Sequence, residues 1–301
     1  MPTLLRYAAF TDTPQGGNPA GVMLDAGELS DAQMQAVAAE VGYSETAFLT
    51  AAGPGRHRVR YFSPRAEVPF CGHATIASAI ALFDSAGETL LRFETSVGEV
   101  PVEVFAAADG PVATLTSVAP RVEAAAPDLV ADALAALHWR QEELDPALPP
   151  RVAFAGAWHL ILAVATRARL GDLDYDIEAL EKIMLANDLT TVALIWRETQ
   201  ILFHARNPFP VGGVIEDPAT GAAAAAFGGY LRALELVATP TSIEIRQGDD
   251  IGRPSRLRVE IGAAGGIRVS GRAVQIDIPG DASHRDVRNA THAEFTEGSS
   301  A

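Results

Sequence analysis

The segment Tyr61-Phe-Ser-Pro-Arg-Ala-Glu-Val-Pro-Phe-Cys-Gly-His-Ala-Thr75 decides the fold. A short apolar strand runs into a loop broken by prolines, and the loop ends in Cys-Gly-His at the start of the apolar segment Ala74 to Phe83. That segment predicts a buried helix. A second loop, Glu216-Asp-Pro-Ala-Thr-Gly221, also precedes an Ala-rich segment. We predict that the two loops face each other as the halves of one active site.

The order of strand, proline-containing loop and apolar helix occurs twice, which indicates an internal duplication. The segments 74–83 and 222–231 are apolar on every side, as expected of helices that are buried all round. The sequence therefore predicts two similar halves, residues 1–120 and 121–280, each a curved sheet around a central helix, with the Ala- and Pro-rich segment Ala119 to Asp128 as the boundary. Another helix is predicted where Ser30-Asp-Ala-Gln33 has the capping-box form, and Gly42 is its natural end. Residues 281–301 are polar without periodicity and predict a disordered tail.

The overall composition excludes several classes of partner. Apolar residues make up 48% of the chain and the formal net charge is −15, so we expect a globular protein that binds neither nucleic acid nor an anionic membrane. Cys71 is the only cysteine, which excludes an intrachain disulfide and a cysteine-based zinc cluster. The seven histidines are scattered, so no metal site is expected. Without a signal peptide or a long apolar run, we predict a cytoplasmic protein.

Both loops end where a helix begins. The first backbone N–H groups of a helix have no intrahelical partner, and the helix dipole favours negative charge there. Two such ends directed at one cleft would bind a small carboxylate without an arginine. The alternative interpretation, two ordinary capped helices, is equally compatible with the pattern.

Four side chains are candidates for chemistry. Glu45 lies in the apolar strand Tyr43 to Leu49, where burial would raise its pKa towards neutrality and suit a general acid or base; an edge-strand residue facing water is the alternative. His73 could relay a proton or cap its own helix. Asp217 is a candidate N-cap, which does not exclude a site role. Cys71 could have a lowered thiol pKa at a helix start, or be structural.

Several motifs together resemble the PhzF-like (phenazine biosynthesis) proteins, relatives of diaminopimelate epimerase. They span most of the chain in order: Phe10-Thr11, Gly17-Asn-Pro-Ala-Gly-Val22, Tyr43-Ser-Glu-Thr-Ala-Phe-Leu49, Tyr61-Phe-Ser-Pro64 with Glu67-Val68, Cys71-Gly-His-Ala-Thr75, Glu216-Asp-Pro-Ala-Thr-Gly-Ala222 and Gln247-Gly248.

The resemblance implies an α/β (α+β) diaminopimelate epimerase-like fold, with the active site between two pseudo-symmetric halves of curved, mostly antiparallel sheet. It also implies a homodimer, no cofactor and an isomerisation by proton shuttling. By the same match, Glu45 is the general acid or base, and His73 and Asp217 are polar catalytic residues. The match assigns substrate binding to Asn18, Gly72, Gly221 and Ala222.

Two departures from the family pattern bear on the substrate and the mechanism. Ala222 stands where the family motif often has serine, so one site hydroxyl is missing. Cys71 matches the first of the two epimerase cysteines, but Asp217 stands where the second would be, so stereoinversion by two thiols is not available. A single carboxylate suits the removal of a proton and its return elsewhere on the same face.

We therefore predict an isomerase that acts on a small carboxylate. An amino-acid epimerase or racemase with Glu45 and Cys71 as unequal bases is one alternative. A non-catalytic protein that binds small acids on the same scaffold is another.

Overall fold

The computed structural model describes residues 3–277, so the predicted tail at 281–301 lies outside the described residues. The first part of the chain contains two α-helices, α1 (Asp31–Val41) and α2 (Gly72–Ala86). Its strands are β1 (Leu4–Ala9), β2 (Asn18–Met23), β3 (Glu45–Gly53), β4 (Arg56–Phe62), β5 (Glu67–Val68), β6 (Leu90–Thr95), β7 (Gly98–Ala107) and β8 (Gly110–Thr116).

The second part contains four α-helices: α3 (Pro127–Ala136), α4 (Arg167–Gly171), α5 (Ile177–Ala186) and α6 (Gly221–Ala233). Its strands are β9 (Arg121–Ala124), β10 (Arg151–Phe154), β11 (Trp158–Val164), β12 (Thr191–Arg197), β13 (Leu202–Phe209), β14 (Val214–Asp217), β15 (Thr241–Gln247), β16 (Ser255–Ile261), β17 (Arg268–Gly271) and β18 (Ala273–Gln275). Short 3₁₀ helices occur at Gln141–Glu143, Pro210–Gly212 and Asp249–Ile251.

The strand pairing shows the duplication directly. In the first part β2 and β3 are parallel, β3, β4 and β5 form antiparallel pairs, and β4 pairs in parallel with β6 after the chain has passed through α2. In the second part β11 and β12 are parallel, β12, β13 and β14 form antiparallel pairs, and β13 pairs in parallel with β15 after α6. The same topology therefore occurs twice, and most of the remaining pairs are antiparallel.

Each copy wraps around its central helix. Every residue of α2 from Gly72 to Leu82 is buried, and so is every residue of α6 from Gly221 to Leu231. Helix α2 packs against β1, β2 and β8, and α6 packs against β9, β10 and β16. The two predicted central helices are thus present and enclosed. The boundary at residue 120 stays a prediction, since β17 pairs back onto β8 and β18 onto β1.

Local signals predicted some elements well and others poorly. The capping box at Ser30 and Gln33 begins α1, and Gly42 ends it in the left-handed conformation. The segment Ala119 to Asp128, predicted to be a boundary linker, contains strand β9 instead. That strand forms because it pairs with β10, which the sequence also did not indicate. Tertiary pairing outweighs local propensity in such short strands.

None of the helices within residues 3–277 combines the length and apolarity needed to cross a bilayer.

A buried ion pair holds β14 against β13. Arg206 Nη2 donates to Glu216 Oε2 at 2.5 Å, Nε donates to Oε1 at 3.0 Å, and Nη1 donates to the carbonyl of Gly171 at 3.0 Å. The side chain of Arg206 is 8% exposed and that of Glu216 is 2% exposed, so water does not solvate either charge. The pair thereby fixes the strand that ends in Asp217.

Replacing Arg206 by methionine should destabilise the fold strongly, because it leaves the Glu216 carboxylate buried without its cation. We expect a loss of about 3–5 kcal/mol in the free energy of unfolding, measured in urea. Arg246→Met is the matched control, since Arg246 pairs with Glu244 on the surface and should cost only about 0–1 kcal/mol. Equal losses in the two variants would contradict the assigned importance of the buried pair.

Candidate active site

The first turns of α2 and α6 meet head to head. A Cβ atom built on Gly72 would lie 3.1 Å from Gly221 Cα and 3.2 Å from the backbone nitrogen of Ala222. A side chain at Gly72 would therefore require the start of the other helix to move by a few tenths of an ångström. Both helices direct their unpaired N–H groups and positive dipole ends towards this junction. The sequence prediction that the two loops face each other is confirmed by these contacts.

Glu45 lies beside the junction as the first residue of β3. Its neighbour on the parallel strand β2 is Ala20, and it is 6% exposed. Burial raises its pKa, while hydrogen bonds with Ser44 and Cys71 act in the opposite direction. A carboxyl group whose pKa is raised by burial can serve both as a general acid and as a general base. The alternative of an edge-strand residue facing water is wrong.

His73 occupies the first turn of α2 and faces Glu45. Its Nε2 lies 3.4 Å from Glu45 Oε2 and 3.3 Å from Ser44 Oγ, and its Nδ1 lies 3.0 Å from Asn18 Nδ2. Burial lowers the pKa of His73 to about 3, so the imidazole is neutral at physiological pH. The N-cap of α2 is Cys71, which means that His73 does not cap its own helix.

Asp217 reaches the junction from the other half, at the end of β14. Its Oδ1 accepts from Asn18 Nδ2 at 2.5 Å, and its Oδ2 accepts from Thr220 Oγ1 at 2.6 Å. Burial first, and then the charge of Glu45, raise the pKa of Asp217 to about 8. The prediction that Asp217 is the N-cap of α6 is wrong, because Thr220 holds that position.

Asn18 lies between the two halves. Its amide nitrogen contacts His73 and Asp217 and also donates to the carbonyl of Ala219 at 3.0 Å. The side chain is 1% exposed. The sequence predicted a substrate-binding role for Asn18, whereas its observed partners are the side chains of the site itself.

Cys71 is part of the same cluster but is not activated. Its Sγ lies 3.3 Å from His73 Nδ1. Burial, followed by the charge of Glu45, raises the pKa of the thiol well above its ordinary value. The interpretation of a lowered thiol pKa is therefore wrong, and the environment favours the structural one.

Glu45, Cys71 and His73 form a potential ligand set within residues 3–277. Each offers one donor atom, and these atoms lie within 4.8 Å of one another. Carboxylate, thiolate and imidazole are the groups that bind zinc in proteins. The expectation that no metal binds was drawn from sequence spacing alone, and it stays a prediction.

Three further polar residues support the site and were not among the predicted site residues. Ser44 approaches His73, Thr220 donates to Asp217, and Gln247 Nε2 donates to the backbone carbonyl of Asp217 at 2.6 Å. All three fall inside motifs that carry the family resemblance. Ser44 and Thr220 could have been found because they lie close to Glu45 and Asp217 in the sequence. Gln247 lies far from both in the sequence, so no such signal was available for it.

Comparisons with known structures define the fold class. A PhzF-family phenazine biosynthesis protein from Bacillus anthracis superposes with a TM-score of 0.81 at 26% identity, covering 91% of this chain and 98% of that one. A hydroxyproline epimerase from Agrobacterium vitis superposes with a TM-score of 0.66 over 92% of both chains, and its 12% identity shows a common fold alone. The fold is that of the diaminopimelate epimerase-like proteins.

Sequence comparisons identify the family. The model of the phenazine biosynthesis-like proteins matches residues 7–283. An uncharacterised isomerase from Deinococcus radiodurans is 34% identical and covers 88% of both chains. The trans-2,3-dihydro-3-hydroxyanthranilate isomerase of Pseudomonas chlororaphis is 33% identical, with 89% of this chain and 90% of that protein covered. The chain belongs to the phenazine biosynthesis-like family, and it is an enzyme of the isomerase class.

The raised pKa of Asp217 predicts a pH-dependent cost to stability. An unfolded Asp217 ionises at its ordinary pKa of 3.8, whereas the folded protein keeps the proton up to about pH 8. Between these values the native state binds more protons, so its stability falls as the pH rises. Asp217→Asn removes this dependence, and its stability relative to the wild type should increase from pH 4 to about pH 8.

Urea unfolding over this pH range measures the difference. Asp132→Asn, on the exposed side of α3, controls for the loss of one negative charge. A stability difference between Asp217→Asn and the wild type that does not change with pH would contradict the assigned pKa.

Proposed function

We propose that the protein moves a proton between two positions of a small carboxylate-bearing substrate, with Glu45 as the general acid and base. The observation that carries this proposal is the burial of Glu45 beside the neutral imidazole of His73, where two helix N-termini meet. Burial keeps the carboxyl group protonatable, and the adjacent helix ends stabilise negative charge that develops on the substrate.

The helix ends also account for how an acidic protein would hold an acid. The formal net charge of −15 repels anions at long range, so binding has to depend on local donors. The backbone N–H groups at Gly72 and Gly221 are such donors, one from each half. In this proposal they bind the substrate carboxylate, while His73 and Asp217 orient its amine or hydroxyl group.

The positions of the acidic groups favour transfer on one face over stereoinversion. Glu45 and Cys71 are hydrogen-bonded neighbours in one cluster, and the thiol holds its proton firmly. Two bases that invert a stereocentre have to flank the substrate carbon from opposite sides, and a hydrogen-bonded pair does not. This geometry supports the isomerase over an epimerase that uses Glu45 and Cys71.

The relative from Pseudomonas chlororaphis supplies the first substrate to test. That relative is named a trans-2,3-dihydro-3-hydroxyanthranilate isomerase. We propose that this protein acts on a chemically similar substrate, a small acid with an amine or hydroxyl group and an activated C–H bond. Ala222 removes a hydroxyl that the family motif often supplies, so the preferred acid need not be that one. From the family resemblance we also propose a homodimer in the cytoplasm.

Glu45→Gln tests the central role. The variant keeps the shape of the side chain but cannot exchange a proton, so we expect a loss of about 10²–10⁴-fold in turnover. Conversion of trans-2,3-dihydro-3-hydroxyanthranilate and of related acids is followed in D₂O, with incorporation of deuterium into the product as the readout. Glu40→Gln, on the exposed side of α1, is the matched control. A Glu45→Gln enzyme with wild-type turnover would refute the assignment.

Cys71→Ala separates the isomerase from the epimerase. If Glu45 alone transfers the proton, we expect less than about a 10-fold change in turnover, since only a hydrogen bond to Glu45 is lost. A second base that transfers a proton would cost about 10²–10⁴-fold on removal. The same deuterium assay, together with the optical activity of the recovered acid, distinguishes the two results.

A further inference from the structure

The contacts of the Asn18 amide group fix where its hydrogens lie. The nitrogen is 3.0 Å from the carbonyl oxygen of Ala219, which can only accept a hydrogen bond, and 2.5 Å from Asp217 Oδ1. The opposite orientation of the amide would place its oxygen against a carbonyl oxygen with no proton between them. Asn18 therefore directs its NH₂ group towards Ala219, Asp217 and His73, and its two hydrogens are shared among these three neighbours.

The same amide nitrogen lies 3.0 Å from His73 Nδ1. An amide nitrogen donates hydrogen bonds and does not accept them, so a protonated Nδ1 would place two donors against each other. Cys71 Sγ, 3.3 Å from the same nitrogen, is only a weak acceptor, so the contact with Asn18 decides the tautomer and His73 Nδ1 is the unprotonated acceptor. Because a neutral imidazole carries one ring proton, that proton lies on Nε2, which faces Ser44 Oγ at 3.3 Å and Glu45 Oε2 at 3.4 Å.

We propose that Asn18 is a positioning residue that fixes the tautomer of His73 and thereby directs the Nε2 proton towards Glu45. It does so while also holding Asp217 from the other half, so one side chain contacts both His73 and Asp217. The structural part of this inference is independent of any substrate. Its consequence for turnover rests on the proposed function.

The backbone that leads to Asn18 is itself held by the second half. Arg253 donates from Nε to the carbonyl of Gly17 at 2.7 Å and from Nη2 to the carbonyl of Gly16 at 2.6 Å. The N–H of Gly17 donates to the carbonyl of Pro254 at 3.0 Å. Gly17 has a φ of +63° and no space for a Cβ atom, since Ala9 O would lie 2.3 Å from it. These contacts give Asn18 a defined position.

A second buried histidine provides an internal reference with the opposite tautomer. Thr191 donates its only hydroxyl proton to Asn207 Oδ1 at 3.0 Å, so it has to accept from His159 Nδ1 at 2.8 Å. His159 therefore carries its proton on Nδ1. Its Nε2 has no hydrogen-bond partner among the described residues. The two histidines differ in tautomer because their neighbours differ, and Asn18 touches only one of them.

Nuclear magnetic resonance of the full-length protein labelled with ¹⁵N-histidine tests the assignment without any substrate. Long-range ¹H–¹⁵N correlations distinguish a protonated from an unprotonated ring nitrogen, and His73→Gln and His159→Gln assign the two signals. At pH 7 we expect the proton of His73 on Nε2 and that of His159 on Nδ1. A His73 signal with the proton on Nδ1 would overturn the proposal.

Asn18→Asp tests the cause. Its carboxylate accepts where the amide donated, so the proton of His73 should move to Nδ1 while the signal of His159 stays unchanged. Asn18→Leu, close in size but without a donor, should give a mixture of both tautomers. An unchanged His73 tautomer in a folded variant would overturn the proposal. If neither variant folds, the wild-type spectrum still decides it.

Measurements of turnover distinguish a failure of this inference from a failure of the proposed function. A histidine locked in the wrong tautomer impairs proton-transfer sites severely, so we expect kcat of Asn18→Asp to fall by about 10²-fold or more. The KM should change less than kcat, because Asn18 acts through His73 and not on the substrate. A shifted tautomer with normal kcat would overturn the catalytic part alone. Failure of Glu45→Gln to impair turnover would overturn the proposed function and leave the tautomer assignment intact.

Discussion

The close approach of two helix N-termini is the constraint on which the rest of the structure depends. Gly72 and Gly221 bring the ends of α2 and α6 so close that a Cβ atom on Gly72 would lie 3.1 Å from Gly221 Cα. Helix ends of like polarity repel each other, so the junction requires compensation. Glu45 and Asp217, one from each half, supply it as negative charge when they are ionised.

Burying two carboxyl groups at the junction costs stability, and hydrogen bonds from neighbouring side chains reduce that cost. Burial raises the pKa of both Glu45 and Asp217, and the charge of Glu45 raises that of Asp217 further. Asn18, Thr220 and Ser44 donate hydrogen bonds that partly stabilise the negative charge. The buried pair of Arg206 and Glu216 then anchors the strand that carries Asp217. Such an arrangement sacrifices stability for groups that can exchange protons.

The sequence predicted what depends on local patterns. The capping box at Ser30, the two apolar central helices and the proximity of their loops follow from spacing and composition, and the structure confirms them. Strands β9 and β10 were missed because their sheet neighbours hold them in place, β10 for strand β9, and β9 and β11 for strand β10. The role of Asn18 could not be predicted either, because its partners lie 55, 199 and 201 residues away. Long-range polar contacts leave no periodic signal in a sequence.

The pairing of the last described strands with the first ones has a consequence for biosynthesis. Strand β1 lies between β2 and β18, so one edge of the first sheet stays open until residues 273–275 have left the ribosome. Strand β8 likewise lacks its partner β17 until Arg268–Gly271 have been synthesised. The first half is therefore translated long before it can be completed, and its exposed strand edges are sites for mispairing or chaperone capture during that interval. Although the same topology occurs twice, the two halves therefore cannot complete their folding one after the other during synthesis.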